Sequence, residues 1–295
     1  MKARLSLLAV GTLVFTSVFA QPVPSQPVTP APQAQAQPQV GPPLRVYIHA
    51  GLKTHAEGQH DYPQFLADWS KLLSNRGAIV DGGLHFPSAR ELANVDVMVI
   101  YKGDAGYLSI EDRATLDNFL RRGGGVVSLH DALCGPDPEH FSTIVGGGKK
   151  HGEVNYTLEA DVPYTIVDPK HPIMQGMSNF TIKDEAFFNM TWSKTPEIHV
   201  LATAVMASTP SAGKHAGEVV PQIWTYENRL LPGAPPFRAF VWMQGHNYVN
   251  FSQAQVQGML LRGIAWAGNR SADALATERP PQRGGRGGRG RRGGA

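Results

Sequence analysis

The 295-residue chain has a single cysteine, Cys134, so it can form no disulfide of its own. That excludes a small cystine-stapled scaffold and any site built on several thiolates. No HExxH occurs, nor any other tight spacing of metal ligands, so the spacing alone assigns no metal. Gly-x-Cys-x-Gly and Gly-x-Ser-x-Gly are absent too, and with them the small-residue turn that exposes an acylating nucleophile. Beyond the first twenty residues no apolar stretch approaches the ~20 residues a membrane helix needs.

What is present begins with the two ends. Lys2 and Arg4 precede an uncharged apolar run, Leu5 to Phe19, and Val18-Phe19-Ala20 places small residues at −3 and −1. Residues 1–20 are therefore expected to be a cleaved signal peptide, giving an exported, periplasmic or extracellular protein without a transmembrane segment in the mature chain. Residues 21–43, all Pro, Gln, Ala, Val and other uncharged types, predict an extended tether. From Ser271 to Ala295 the chain turns polar and then Arg/Gly-rich, which predicts disorder. This tail holds six arginines against Asp273 and Glu278, and Lys2 and Arg4 add two more positive charges. The overall +3 therefore hides a middle section near −3. Arg/Gly tails can bind nucleic acid. In an exported protein none is expected, and contact with envelope polyanions is the better expectation.

Between the ends, residues 44–270 predict one domain, large enough to bury a core without crosslinks. Leu44–His49 reads as a strand, and Pro63 starts a helix with Phe65, Leu66, Trp69, Leu72 and Leu73 on one face. Strands follow at Ala78–Val80, Val95–Tyr101 and Val126–His130. A helix capped by Ser109 lies between the last two. This alternation predicts an α/β fold with a mostly parallel sheet and helices on both faces. Short strands are then expected near 156–159, 165–167, 200–203, 222–226 and 238–243, finishing the same sheet, before a helix from Ser252 to about Ala267.

In such sheets ligands sit at the carboxyl ends of the strands. His49, Lys102 and His130-Asp131 all fall there. His55 and His60 flank the first strand-to-helix connection, His151 follows Gly146-Gly147-Gly148-Lys149-Lys150, and Gln244-Gly245-His246 leaves a strand. Imidazoles and carboxylates grouped in this way suit proton transfer near neutral pH or metal ligation. Cys134 comes several residues after the strand end and reads as a buried, incidental thiol. Trp242 reads as core, while Trp192 and Trp224 fit either core or a sugar-stacking surface.

Three stretches resemble the ThuA-like (trehalose utilisation) family. They are Gly124–His130; His171-Pro172-Ile173-Met174-Gln175-Gly176 with Phe180 and Asp184-Glu185; and Pro221–Trp224 with Phe240–His246 and Arg262–Ala267. The resemblance implies a flavodoxin-like sheet of the class I glutamine-amidotransferase-like superfamily, a role in carbohydrate catabolism, and chemistry on oxidised, keto-sugar intermediates. The chain departs from the family in carrying Asp131 after the strand-end histidine. Thioester chemistry on glutamine is not expected, because that corner holds His130-Asp131 in place of a nucleophile. The expected catalytic set is His130, His246, Glu185 and Asp131, with His49, Lys102, His151 and Gln244 binding substrate. Lys102 or a His-bound zinc or manganese ion would steady an oxyanion. Isomerase, lyase and hydrolase outcomes all fit. A non-catalytic carbohydrate-binding protein and a metal-dependent glycoside hydrolase are the alternatives, and a small carbohydrate is the expected partner.

Overall fold

The computed structural model describes residues 42–150, 152 and 156–279. The signal peptide, nearly all of the tether, the Arg/Gly repeats and His151 lie outside the described residues. Strand and helix alternate through β1 (Arg45–Ala50), α1 (Tyr62–Ser74), β2 (Ile79–Gly83), the short α2 (Ala89–Leu92), β3 (Val97–Tyr101), α3 (Ile110–Arg121) and β4 (Gly125–Leu129), as predicted except for α2, which the sequence reading does not include. After them come α4 (Pro138–Val145), β5 (Gly147–Gly148), β6 (Tyr156–Ile166), β7 (Phe180–Phe187), β8 (Thr191–Trp192), β9 (His199–Val205), β10 (Val219–Asn228), β11 (Phe237–Trp242) and α5 (Ala254–Ala267).

Nine strands form one sheet in the order β2-β1-β3-β4-β11-β10-β9-β6-β7. From β2 to β11 all neighbours are parallel, and from β11 to β7 they are antiparallel. Side chains alternate between the two faces, as a pleated strand requires. Along β3, Val97, Val99 and Tyr101 join the core under α1 and α5, whereas Met98 and Ile100 join the one under α3 and α4. Helix α5 lies close on β11 because Gly263 has no side chain, and a Cβ there would fall 2.2 Å from the Phe240 ring.

Three further features differ from expectation. Helix α4 and strand β7 were not predicted, since a Pro-Asp-Pro segment and a run broken by Lys183-Asp184-Glu185 mask their apolar faces. Strand β6 is continuous where two short strands were expected, with Pro163 paired to Thr181 inside it. The disorder predicted from Ser271 does not hold for residues 271–279. A 3₁₀ turn at Ala272–Leu275 buries Ala272 and Leu275, and the Arg279 N–H donates to the Asn75 carbonyl at 2.8 Å. Among the described residues no helix is long and apolar enough to cross a membrane.

Candidate functional site

Four elements deliver four buried side chains to the carboxyl end of the parallel strands. His60 comes from the loop before α1, His130 from the corner after β4, Glu185 from β7, and His246 from the turn after β11. Their ligating atoms all lie within 4.8 Å of one another. The Nε2 of His60 is 2.9 Å from the Nε2 of His130 and 3.0 Å from the Nδ1 of His246. Glu185 puts Oε2 3.6 Å from His130 Nε2 and Oε1 3.3 Å from His246 Nδ1.

The backbone is bent to make this possible. His130 has φ +55° and His60 φ +46°, left-handed values that a non-glycine residue rarely adopts. His130 thus sits on the sharp strand-to-helix corner where a related architecture would mount a nucleophile. Gly245 has φ +130°, and a Cβ there would crowd Phe251 and the His130 side chain. Asp184 fixes the turn that carries His246. Its carboxylate accepts the backbone N–H groups of Glu185, Gly245, His246 and Asn247, and the Asn250 side-chain amide. Tyr101 also donates to the Gly245 carbonyl.

The rings are oriented by partners outside the cluster. His130 Nδ1–H donates to the Met243 carbonyl at 3.2 Å, which leaves its Nε2 as a lone pair facing inward. His60 Nδ1 bonds Thr54 Oγ1 at 3.0 Å. Burial lowers His60 to about 2, with nearby His130 adding to the effect, and burial lowers His130 to about 4. His246 is lowered as well, by burial first and by His55 second. Glu185 moves the other way, pushed up to about 8 by burial and then by the charge of Asp131. One shared proton cannot satisfy three ring nitrogens and a carboxylate oxygen at these distances. One cation can, and three imidazoles with one carboxylate are the donor set of zinc and manganese sites.

Asp131 stands beside the set without joining it. Its Oδ2 is 4.0 Å from His60 Nε2 and 3.9 Å from His130 Nε2. Oδ1 accepts from Lys149 Nζ at 3.4 Å and from the Cys134 thiol at 3.1 Å. Burial alone would raise this carboxyl, but His130 and Lys149 hold it well below the usual range. Lys149, unassigned by the sequence, is almost fully buried. Burial pulls its ammonium down, yet Cys134 and Asp131 leave it above the usual lysine range. The Cys134 thiol is buried and raised well above its ordinary value, so it offers no thiolate.

Two cavities meet along His55, His60 and Asp131. The larger, about 650 Å³, is lined by Lys149, Tyr156, Glu159, Glu185 and His246. The smaller, about 400 Å³, holds Lys102 and Tyr62. Of the predicted catalytic residues the structure brings together His130, His246, Glu185 and Asp131. Of the predicted binding residues, His151 lies outside the described residues, and His49, Lys102 and Gln244 stand apart from the cluster. His49 packs edge-on against Phe86 and lines neither cavity. Lys102 reaches the smaller cavity, but its ammonium donates to the carbonyls of Gly103 and Asp104 in its own loop. Gln244 is buried behind Glu185, accepting from Tyr164 and donating to the Glu185 carbonyl and to Gln222. Trp224 and Trp242 are wholly buried core. His60 was noted in the sequence only as a flanking residue. The signal that could have found it is its glycine-rich loop on the first strand end, facing the other histidine corners.

The sequence matches the family model for ThuA, trehalose utilisation, over residues 54–267. A ThuA-like protein of Parabacteroides merdae has a similar structure, with a TM-score of 0.60 at 19% identity, covering 81% of this chain and 93% of that one. A ThuA-like protein of Bacteroides uniformis gives 0.57 at 17% identity, covering 81% and 95%. At these identities the likeness speaks for the fold, which is α/β and glutamine-amidotransferase-like. No curated protein matches the chain.

Proposed function

The chain belongs to the ThuA family of trehalose utilisation, and from that premise we propose that it is a divalent-metal enzyme acting on an oxidised sugar by proton transfer beside a carbonyl. The observation that carries this reading is the convergence of His60, His130, His246 and Glu185, buried together and each drawn from a different element. A protein that only binds sugar has no need to bury three neutral imidazoles nitrogen to nitrogen. It would instead spread aromatic faces and amides over its cavity.

A bound zinc or manganese ion would supply a Lewis-acid charge for a substrate oxygen. The chain's own groups do the rest. His130 and His60 are held in register by Met243 and Thr54, and Asp184 holds the turn of His246. Asp131, ionised and outside the ligand set, faces the same space with Oδ2. In the proposed step the C–H bond next to the carbonyl breaks and the proton passes to Asp131. The bonding pair becomes a C=C bond, and the carbonyl π pair moves onto oxygen. The Cys134 thiol takes no part. The two cavities along His55, His60 and Asp131 give a sugar room on either side of the cluster. Export remains part of this proposal on the strength of residues 1–20, and cell fractionation tests it.

The test has two arms. Elemental analysis of the purified full chain should find about one zinc or manganese per chain after loading. Proton NMR in D₂O should then show the hydrogen next to the carbonyl of a keto-glycoside exchanging only with the loaded protein. Glycoside cleavage without such exchange would favour a metal-dependent hydrolase instead. Neither exchange nor cleavage across a keto-glycoside panel would remove the enzyme reading.

A further inference from the structure

We propose that Lys149 is a catalytic residue that holds a second substrate oxygen, so that the ligand carries oxygens on two adjacent carbons, one at the His/Glu cluster and one at the ammonium. The inference rests on the metal reading above and extends it to the shape of the substrate.

Burying a cation is costly, and among the described residues the carboxylate that pairs with Lys149 is that of Asp131. Its Nζ lies 3.7 Å from the centroid of the Phe187 ring and 5.3 Å from that of Tyr156. Phe187 also stacks on His130, with ring centroids 5.1 Å apart, so one aromatic ring fixes both the strand-end imidazole and the ammonium. An ammonium has three N–H donors, and an aromatic face accepts none of them as an ordinary hydrogen bond. Asp131 Oδ1 takes one, at 3.4 Å. The remaining donors belong to a side chain that lines the larger cavity together with His60, Glu185 and His246. Among the described residues Lys149 is the only lysine or arginine on that cavity's wall.

The spacing sets the ligand. Asp131 meets Lys149 through Oδ1 and faces the rings of His60 and His130 through Oδ2 at about 4 Å. Two oxygens on a single carbon therefore almost bridge the ammonium and the ring nitrogens. Two oxygens on adjacent carbons are one bond farther apart and reach both. A hydroxy-ketone fits this description, as does the enediolate formed from it. As the carbon-bound proton leaves for Asp131, the Lys149 N–H bonds to the neighbouring oxygen strengthen without any proton leaving the ammonium. Lys102, the lysine favoured by the sequence, lines the smaller cavity and not this one, and two of its three donors go to carbonyls of its own loop.

Acetohydroxamate, which carries oxygens on adjacent atoms and no sugar ring, is the probe. Calorimetry on the zinc-loaded full chain should show it binding to wild type, and binding at least tenfold more weakly to Lys149→Met at unchanged zinc stoichiometry. Azide, which needs only the metal, should lose less than twofold in the same variant. If Lys149→Met does not fold, Lys149→Gln is read in its place. Equal hydroxamate affinity in the zinc-full variant overturns the proposal, as does a zinc-loaded wild type that takes azide but not hydroxamate. A wild type that retains no zinc and binds neither probe removes the underlying metal reading, and this proposal with it.

Discussion

The loops that leave β3 and β4 are neighbours on the same sheet edge, and in sequence they look equally equipped, one with Lys102-Gly103-Asp104 and the other with His130-Asp131. In the structure they differ. The ammonium of Lys102 turns back to the carbonyls of Gly103 and Asp104, so this loop secures itself. The imidazole of His130 gives one nitrogen to the Met243 carbonyl and turns the other toward His60 and Glu185 from distant elements. A strand end offers position only. Where the polar atoms spend their hydrogen bonds decides whether the residue supports the fold or faces a ligand.

Substitution of the two residues should separate them most widely. His130→Ala removes a ligand and should cost the bound ion and at least about 100-fold in turnover. Lys102→Ala should stay within a few-fold of wild type. Metal stoichiometry and turnover measured side by side check this, and comparable losses in both variants would erase the distinction. A smaller effect is expected from Asp184→Asn, which reaches His246 only through the turn. An amide replaces one of the two acceptor oxygens by a donor among N–H groups, so ion affinity should fall about 10- to 100-fold with ligand identities intact. An unchanged affinity would mean that the turn holds itself.

The sequence carried the parallel half of the sheet well, because β1, β3 and β4 are short apolar runs buried on both faces with helices of clear period between them. It also carried the histidine corners, since polar residues at strand ends are visible without coordinates. It did not carry β7. That strand is last in the sheet order, and it returns to the site through long-range bonds such as Gln244 to the Glu185 carbonyl and Gln222 to the Phe187 carbonyl. Nothing local announces such a return. Lys149 was hidden for a similar reason: the unpredicted α4 and the Gly147-Gly148 pair that follows it fold the loop inward, so a lysine in a polar stretch ends up buried. Gln244 was misassigned because a strand-end amide looks the same whether it faces a cavity or another amide.

Gln244 offers a test of that last point on stability rather than activity. Gln244→Leu would leave the Gln222 side-chain oxygen, the Glu185 carbonyl and the Tyr164 hydroxyl short of partners in a buried place. Unmade buried hydrogen bonds of this kind cost about 1–3 kcal/mol each, partly recovered by local adjustment, so a net loss of about 2–3 kcal/mol is expected in urea unfolding. A loss below about 0.5 kcal/mol would return Gln244 to the list of ligand-facing residues.

The smallest effect concerns His49, at the end of β1 but turned away from both cavities. It is 3% exposed, and its Nδ1 has no hydrogen-bond partner among the described residues. Burial, helped by the charge of Lys102, lowers it to about 4 from an ordinary value of 6.5. Between those two pH values the unfolded chain takes up a proton that the folded chain refuses. The neutral ring therefore contributes stability that is complete above about pH 6.5 and is lost as pH falls toward 4. His60 and His130 act in the same direction, so the wild-type slope is a sum over several rings. His49→Phe isolates one of them. It keeps an aromatic ring against Phe86 and should flatten the dependence of urea stability on pH by up to one proton across this window, while metal content and turnover stay near wild type. If turnover fell instead, His49 would belong with His130 on the working side of the edge, and the contrast drawn between neighbouring strand ends would have to be redrawn around β1.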